Sequence, residues 1–416
     1  MKVAVIGAGV VGVATAHALA RDGHEVVVVE RRERPAMESS YGNAGLYSPS
    51  DSYAWASPDA LKMAVRSLFN RDLGIQYKLR LDPALWLWSL KFLGQCTDAA
   101  ARRNSLLKLR LTSYSLRQLE AVVQETGIAF GNRREGLLYY FGSKDAVAAA
   151  DHHMGLLRDQ GLDLRTLDRD AVLATEPGLA PIAEEIAGGI YSPDCQTGSS
   201  NLFAAALVAW CAEHRGTLFR FGETVTRLRR DGDRIAGLET DRGELAADAY
   251  VLASGAECVF LARDVGLALP IYPVKGFSIT AEVKDPAAGP KMGVVDEDRL
   301  VAMSRPGDRL RAASSAVFTG YDRSQRPEDF RAIRAVVSRL YGEAVDLDRA
   351  EHWCGFRPMT PSSVPILGRT PLVNLYLNVG HGHVGWTMSC GSARFVADIV
   401  AGRAPEIDPT GLVLPQ

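Results

Sequence analysis

Residues 2–12 read K-V-A-V-I-G-A-G-V-V-G. A short, nearly continuous apolar run rich in β-branched residues is followed at once by G-x-G-x-x-G, and that order decides the fold. Such a run is how a strand buried on both faces of a parallel sheet reads. Behind the glycines, G-V-A-T-A-H-A-L-A-R-D (12–22) is Ala-rich and helical until Gly23 stops it. E-V-V-V-V-E (25–30) is a second buried strand, so residues 2–30 form one βαβ unit. Gly7 permits the tight turn, Gly9 lets backbone approach a pyrophosphate, and Gly12 allows close packing of helix on strand. The start of the helix offers N–H groups and a positive dipole end to the phosphates. Glu30 ends the second strand, where a carboxylate accepts hydrogen bonds from a ribose diol and repels a 2′-phosphate.

The next stretch narrows the cofactor. R-R-E-R-P-A-M-E-S-S-Y-G-N-A-G-L-Y (31–47) carries charges, then Ser, Gly and Asn, and no third strand. An NAD domain ordinarily continues into a third βα unit. A loop of small residues suits an extended cofactor lying against it, so FAD is expected.

The whole chain is consistent with this reading. Its 416 residues suggest two domains or one composite one. Hydrophobic residues make up 47% and charged residues 23%, enough apolar material for a large core. With 47 basic against 49 acidic residues, no nucleic-acid partner is expected. The 6 cysteines form no C-x-x-C pair, which argues against a disulfide scaffold and for a reducing compartment. Glycines break the N-terminal apolar run and no A-x-A-like cleavage site follows it. No apolar run approaches the ~20 residues that span a bilayer.

Along the chain, residues 59–126 have helical spacing and no strand signal. Residues 136–141 read as a strand and 145–160 as a helix. Strands and a helix return from 188, antiparallel strands occupy 269–318, and 350–400 runs strand, Gly-rich turn, helix. The expected fold is a two-domain α/β arrangement. A Rossmann-like FAD-binding domain spans 1–75, 188–267 and 345–416. An interleaved α+β substrate domain on an antiparallel sheet spans 76–187 and 268–344.

Several motifs together resemble one family. They are the Gly7/Gly9/Gly12–Glu30 unit, S-S-Y-G-N-A-G-L (39–46), V-L-A-S-G-A (251–256), G-F-R-P-M-T-P (355–361) and G-H-G-H-V-G-W-T (380–387). In that order and over essentially the whole chain, they resemble the D-amino acid oxidase superfamily of FAD-dependent oxidoreductases, and within it the bacterial D-amino acid dehydrogenase branch. The resemblance implies that Gly7, Gly9, Val10, Val11 and Gly12 hold the pyrophosphate and that Glu30 and Arg31 hold the adenosine ribose. Ser39, Ser40, Asn43, Ala44, Gly45 and Leu46 lie along the ribityl chain and ring. Val225 meets the adenine through its backbone, and Ser254 and Gly255 close over the cofactor.

Arg357 is the expected substrate residue. In the family this Arg forks onto the substrate carboxylate, and a guanidinium suits that task because it is planar, bidentate and always charged. His383, Tyr272 and Lys275 are candidates for lining the pocket. Two departures from the family pattern stand out. Ser362-Ser363 replaces the Asp-Gly that usually follows Thr-Pro, which leaves substrate preference open. Gly355 occupies the position at which sarcosine oxidase relatives carry a flavin-linked Cys, and Cys354 is one residue off, so non-covalent FAD is expected.

His381 and His383 invite a metal reading, but a metal needs further ligands that the spacing does not supply. Gly380, His381, Gly382, Val384, Gly385, Trp386 and Thr387 read instead as the second half of the cofactor site. A helix starting near Trp386–Thr387 points its positive end at the flavin's pyrimidine edge.

The function so implied is oxidative deamination of a D-amino acid, with cyclic ones such as D-proline or hydroxy-D-proline included. Hydride passes from Cα to flavin N5, and electrons go on to a quinone or electron-transfer protein. One alternative is an oxidase of glycine, sarcosine or D-amino acids that makes hydrogen peroxide. Another is an FAD-binding scaffold without turnover, against which Arg357 speaks. L-W-L-W-S-L-K-F-L (85–93), followed by Arg102, Arg103, Lys108 and Arg110, is either a helix packed on its own sheet or a surface in a membrane interface. The expected location is cytoplasmic, with peripheral contact at the inner face of the plasma membrane as its second form.

Overall fold

A computed structural model of the chain describes residues 1–60, 74–78 and 80–414. Part of the helical reading over 59–126, at 61–73 and 79, lies outside the described residues.

Lys2–Ile6 is a central strand of a six-stranded sheet. The order is Ile366–Arg369, Leu375–Val379, Ala249–Leu252, Lys2–Ile6, Glu25–Glu30, Leu218–Phe221. Every neighbouring pair is parallel except the first. Alternation along the strand explains its burial on both sides. Val3 and Val5 pack with Leu19, Leu207 and Val396 on one face, and Ala4 and Ile6 pack with Leu228, Leu238 and Leu377 on the other. Helices Val10–Arg21, Ser200–Arg215 and Gly385–Val400 cover the first face. A small antiparallel sheet, Val225–Asp231, Arg234–Thr240 and Gly243–Leu245, covers the second.

A nine-stranded sheet carries the rest. Its order is Glu351–Met359, Tyr272–Glu282, Arg309–Phe318, Val301–Ser304, Gly293–Asp296, Leu137–Phe141, Gly188–Ser192, Arg165–Asp168, with Ile75–Tyr77 added beside Arg309–Phe318. Helix Arg331–Tyr341 packs on it through Ile333, Val337 and Leu340.

Several sequence expectations need correction. Ile75–Tyr77 is a strand inside the stretch read as strandless; three residues carry too little alternation to register. Arg165–Asp168 and the helix Arg169–Thr175 were not anticipated. Gly188–Ser192 and Glu351–Met359 pair in the nine-stranded sheet, although the reading grouped them with the cofactor-side pieces. A short apolar strand does not encode which sheet recruits it. That sheet is also mixed, since Gly293–Asp296 pairs parallel with Leu137–Phe141, as does Ile75–Tyr77 with Arg309–Phe318.

Candidate active site

A cavity of about 810 Å³ runs from the carboxyl ends of the parallel strands into the nine-stranded sheet, where ligands of open α/β sheets bind. Its wall carries Gly7, Gly9, Val10, Val11, Glu30, Arg31, Ser39, Ser40, Asn43, Ala44, Gly45, Leu46, Val225, Ser254, Gly255, Gly355, Arg357 and all of 380–387. Gly12 lies behind it. A Cβ on Gly12 would overlap the Gly7 carbonyl, so its role is the close crossing of helix and turn.

At the first end, Gly7 has φ +103, a conformation that only glycine adopts without strain. Its N–H donates to the Val29 carbonyl at 2.9 Å. The Val10 N–H donates to Ser40 Oγ at 3.1 Å, which ties the small-residue loop to the start of the helix. Glu30, read as a ribose acceptor, is already engaged by backbone N–H groups. Its Oε2 accepts from the Ala8 N–H at 2.7 Å and its Oε1 from the Arg32 N–H at 2.9 Å. Burial raises its pKa, opposed by those two bonds. A carboxylate offers about four acceptor positions, so capacity remains for a ligand.

Arg31 is engaged by protein. It pairs with Glu38 at 2.7 Å and with Glu257, and both carboxylates also hold Arg323, at 2.6 and 2.8 Å. This four-membered ring joins the βαβ unit to the segment after Arg309–Phe318.

Further along, the Asn43 side chain donates to Ser200 Oγ at 2.7 Å and accepts from the Gly45 N–H at 3.0 Å. Ser304 Oγ donates to the Ala44 carbonyl at 2.6 Å. On the opposite wall, Gly380 (φ +80) and Gly382 (φ +60) turn the chain into helix Gly385–Val400. Thr387 Oγ1 accepts from the Ser48 N–H at 3.1 Å, so this helix start is bound to the N-terminal loop.

Arg357 reaches the far end of the cavity. Some of its surface is accessible, but only from within, and this desolvation lowers its pKa to about 10. Nη1 donates to the Ser315 carbonyl at 2.5 Å, and Ser315 has φ +72. Among the described residues it has no carboxylate partner. Gly276 lies across the strand pair from Gly355, and a Cβ there would overlap the guanidinium. Gly276→Ala is therefore expected to displace the Arg357 head and weaken substrate binding by about tenfold or more, the cost of a misdirected charged hydrogen bond. Binding of a carboxylate competitor by titration checks this.

The two histidines of the turn differ. His381 Nε2 lies 3.0 Å from Ser392 Oγ, and burial drops its pKa to about 3. His383 stacks on Trp55 at 4.9 Å and leaves Nδ1 without a partner. Burial holds it neutral, reinforced by the charges of Lys108 and Arg357. For His381, the unfolded chain takes up a proton near pH 6.5 while the native chain waits until about pH 3. The stability it contributes is complete above pH 6.5 and is lost as pH falls toward 3, at about 1.4 kcal/mol per unit. His381→Gln is expected to flatten that slope, measured as urea midpoints across pH 7 to 4.

Tyr272 and Lys275 are corrections: neither is on the cavity wall. The Tyr272 hydroxyl donates to Asp82 at 2.8 Å, and Lys275 donates to the Ser324 carbonyl with its ammonium 5.2 Å from the Phe277 ring. On the same strand Tyr272 stands four residues from Gly276 and Lys275 one, and neither reaches the cavity. Cys354 likewise faces the Arg323 carbonyl at 3.6 Å. Sequence reasoning missed Gly276, Ser315, Trp55 and Asp51, of which a mid-strand glycine was the one available signal. The Ser362-Ser363 departure forms a turn. Ser363 takes the left-handed conformation, φ +65, and its Oγ accepts from the Trp55 N–H at 3.0 Å.

The cavity fits a flavin dinucleotide on chemical grounds. Ser254 Oγ, Trp353 Nε1, His383 Nδ1 and Trp386 Nε1 are buried, lack protein partners and belong to wall residues. A Cβ on Gly9 would meet only Ser40 Oγ, at 3.5 Å, so the protein itself leaves room there for a ligand. Comparison with known proteins agrees. Residues 2–399 match the model of the DAO family, FAD dependent oxidoreductase. The chain belongs to that family and is an FAD-dependent oxidoreductase. It is 50% identical over 413 residues to D-amino acid dehydrogenase 2 of Mesorhizobium japonicum, covering 99% of each chain. It is 44% identical over 415 residues to D-amino acid dehydrogenase of Paramagnetospirillum magneticum, covering 99% of this chain and 98% of that one. In fold it is similar to glycine oxidase from Geobacillus kaustophilus, with TM-score 0.76, 24% identity and coverage of 100% and 99%.

Proposed function

We propose that the protein oxidises D-amino acids to imino acids, which hydrolyse to 2-oxo acids, and passes the electrons to an acceptor other than oxygen. Arg357 carries the reading. A guanidinium cut off from bulk water and left without a counter-charge is costly. A ligand carboxylate in the cavity removes that cost through a bidentate pair. The D-amino acid dehydrogenases at 50% and 44% identity support the substrate class. Bound flavin supplies a hydride acceptor. The chain itself orients: fixing the carboxylate fixes which Cα–H faces the ring, an effect that lowers a barrier by several kcal/mol. Ala54, Trp55 and Phe318 exclude water from that end. Non-covalent FAD is supported by Gly355 on the wall and by Cys354 facing away from it.

Anaerobic mixing of the yellow protein with D- and L-amino acids, D-proline, hydroxy-D-proline, glycine and sarcosine tests the reading. Absorbance at about 450 nm is expected to bleach with D-amino acids, and no bleaching with any of the set refutes the proposal. Reoxidation faster with a quinone analogue than with air is expected; the reverse selects the oxidase.

Among the described residues no helix is long and apolar enough to cross a membrane. Helix Pro83–Leu93 nevertheless buries Leu85 and Trp88 while exposing Trp86, Leu87, Leu90 and Leu93. Lys78, Arg80 and Lys91 stand exposed beside them, which suits an anionic membrane surface at the inner face of the plasma membrane. Co-sedimentation with anionic vesicles is expected, and Trp86→Glu with Leu90→Glu is expected to abolish it.

A further inference from the structure

A D-amino acid carries two charges, and Arg357 accounts for only one. The ammonium also has to lose a proton before the α-hydride can leave, because the nitrogen lone pair forms the new C=N bond. Of the acidic wall residues, Glu30, Glu38, Glu223 and Glu257 belong to the end where the βαβ unit meets the small antiparallel sheet and the arginine ring. Asp59 faces solvent. Asp51 is different: its accessible surface opens into the cavity and its carboxyl is otherwise enclosed.

Asp51 is also held firmly. It closes the short turn Pro49–Asp51, and its Oδ1 accepts from the Tyr139 hydroxyl at 2.8 Å. Tyr139 in turn meets Ser50 Oγ at 2.7 Å. Lys108, fully buried on helix Asp98–Thr126, donates to the backbone carbonyls of Tyr53 and Asp51, the latter at 3.3 Å. His383 bridges the two ends of this region. The charges of both Lys108 and Arg357, and the Asp51 backbone, act on its ring.

We propose that Asp51 binds the substrate's α-ammonium across from Arg357 and takes the proton that leaves it. The proposal rests on the amino acid oxidation reading above. In the step, one N–H bond of the ammonium breaks and an O–H bond forms on Asp51, giving a neutral amine and a carboxylic acid. The α-hydride then departs with its electron pair to the FAD of this oxidoreductase, and the nitrogen lone pair closes the iminium. The charge of the cluster is unchanged by the proton transfer, which suits a site without bulk water to stabilise a new charge.

The surroundings tune Asp51 toward this task. Burial raises its pKa, and the Tyr139 hydroxyl, Lys108 and Ser48 oppose that rise. Lys108 is itself depressed to about 7 by burial. Glu297 is raised to about 7 by burial and by the neighbouring acids Asp51, Asp296 and Asp298. Cys195 and Tyr139 are pushed up by burial and stay protonated. The groups facing Asp51 are thus Lys108, Tyr139, Glu297, Cys195 and neutral His383, and Lys108 is the one cation among them.

The test is stopped-flow flavin reduction of the FAD-loaded protein by D-alanine, D-proline and D-lysine across pH 6 to 10.5. Asp51→Asn keeps the bond from Tyr139 and removes the acceptor. It is expected to slow reduction at neutral pH by about 10²–10⁴-fold, the usual worth of a positioned base, with every substrate. The deficit should narrow at high pH, where the substrate arrives already deprotonated. An unchanged rate and pH profile would overturn the proposal. So would a loss confined to D-lysine, which would place the side-chain ammonium at Asp51 instead. Should Asp51→Asn fail to retain FAD, the wild type decides. Its profile is expected to level off below the amine pKa of the substrate, and a rate that simply follows free amine up to that pKa overturns the proposal. Absence of any reduction of wild-type flavin by D-amino acids would instead count against the substrate reading itself.

Discussion

Arg357→Met is expected to lower the rate constant for flavin reduction, divided by substrate Kd, by about 10²–10⁴-fold, because a charged, bidentate pair in a water-poor site is worth about 2–5 kcal/mol. The same substitution is expected to leave the flavin spectrum intact and the substrate-free protein as stable as before, or more so. That opposite sign follows from the structure. The guanidinium holds one backbone carbonyl, that of Ser315, and no carboxylate among the described residues, and desolvation alone lowers its pKa. Without substrate it is therefore a buried charge with little return, and an apolar side chain of similar length removes the penalty. Thermal melts and anaerobic stopped-flow on one preparation check both signs. A drop in melting temperature together with the drop in rate would mean that Arg357 holds the strand pair together and does not serve a ligand.

Gly12→Val is expected to yield colourless protein, with FAD retention reduced by about 10²-fold or more. The added side chain would overlap the Gly7 carbonyl, a backbone group that cannot swing aside as a flexible side chain can. Overpacking of this kind costs about 1–3 kcal/mol even where neighbours can move, and here the displaced group is the fingerprint turn on the cavity wall. Gly9→Ala separates the two functions of the fingerprint. Its Cβ would meet only Ser40 Oγ at 3.5 Å, so the chain is expected to fold normally and lose FAD only because the ligand cannot approach. The ratio of flavin to protein absorbance after desalting, set beside circular dichroism, distinguishes the two.

Features that rest on neighbouring residues were legible in the sequence. Lys2–Ile6, the glycines and Glu30 are local chemistry, since strand, turn and helix follow one another without a break. The G-H-G-H-V-G-W-T turn was legible for the same reason, and its glycines do take positive φ at 380 and 382. Lys275 was misjudged because only strand register decides which side of Tyr272–Glu282 faces the cavity, and Tyr272 because its hydroxyl is claimed by Asp82, 190 residues away. Gly276 on that strand reaches Arg357 while its neighbour Lys275 does not. Asp51 was invisible for a different reason. Its partners Lys108, Tyr139 and Glu297 come from a helix, a strand and a turn that no spacing rule connects. The Ser362-Ser363 departure was visible, but its use was not, because the Trp55 amide that Ser363 caps arrives from 308 residues away.

The order of strands in the six-stranded sheet has a consequence for how the enzyme is made. Lys2–Ile6 leaves the ribosome well before the segments it packs with: one of its two neighbours is Ala249–Leu252 and the helix that packs against its own helix is Gly385–Val400. During translation the fingerprint loop therefore emerges onto a half-formed sheet with an open edge and an uncovered apolar face. Both walls of the cavity exist only once helix Gly385–Val400 has been made, so firm FAD binding is expected only after that point. A nascent chain stalled before residue 380 would present that open edge to chaperones and proteases in place of a finished flavin site.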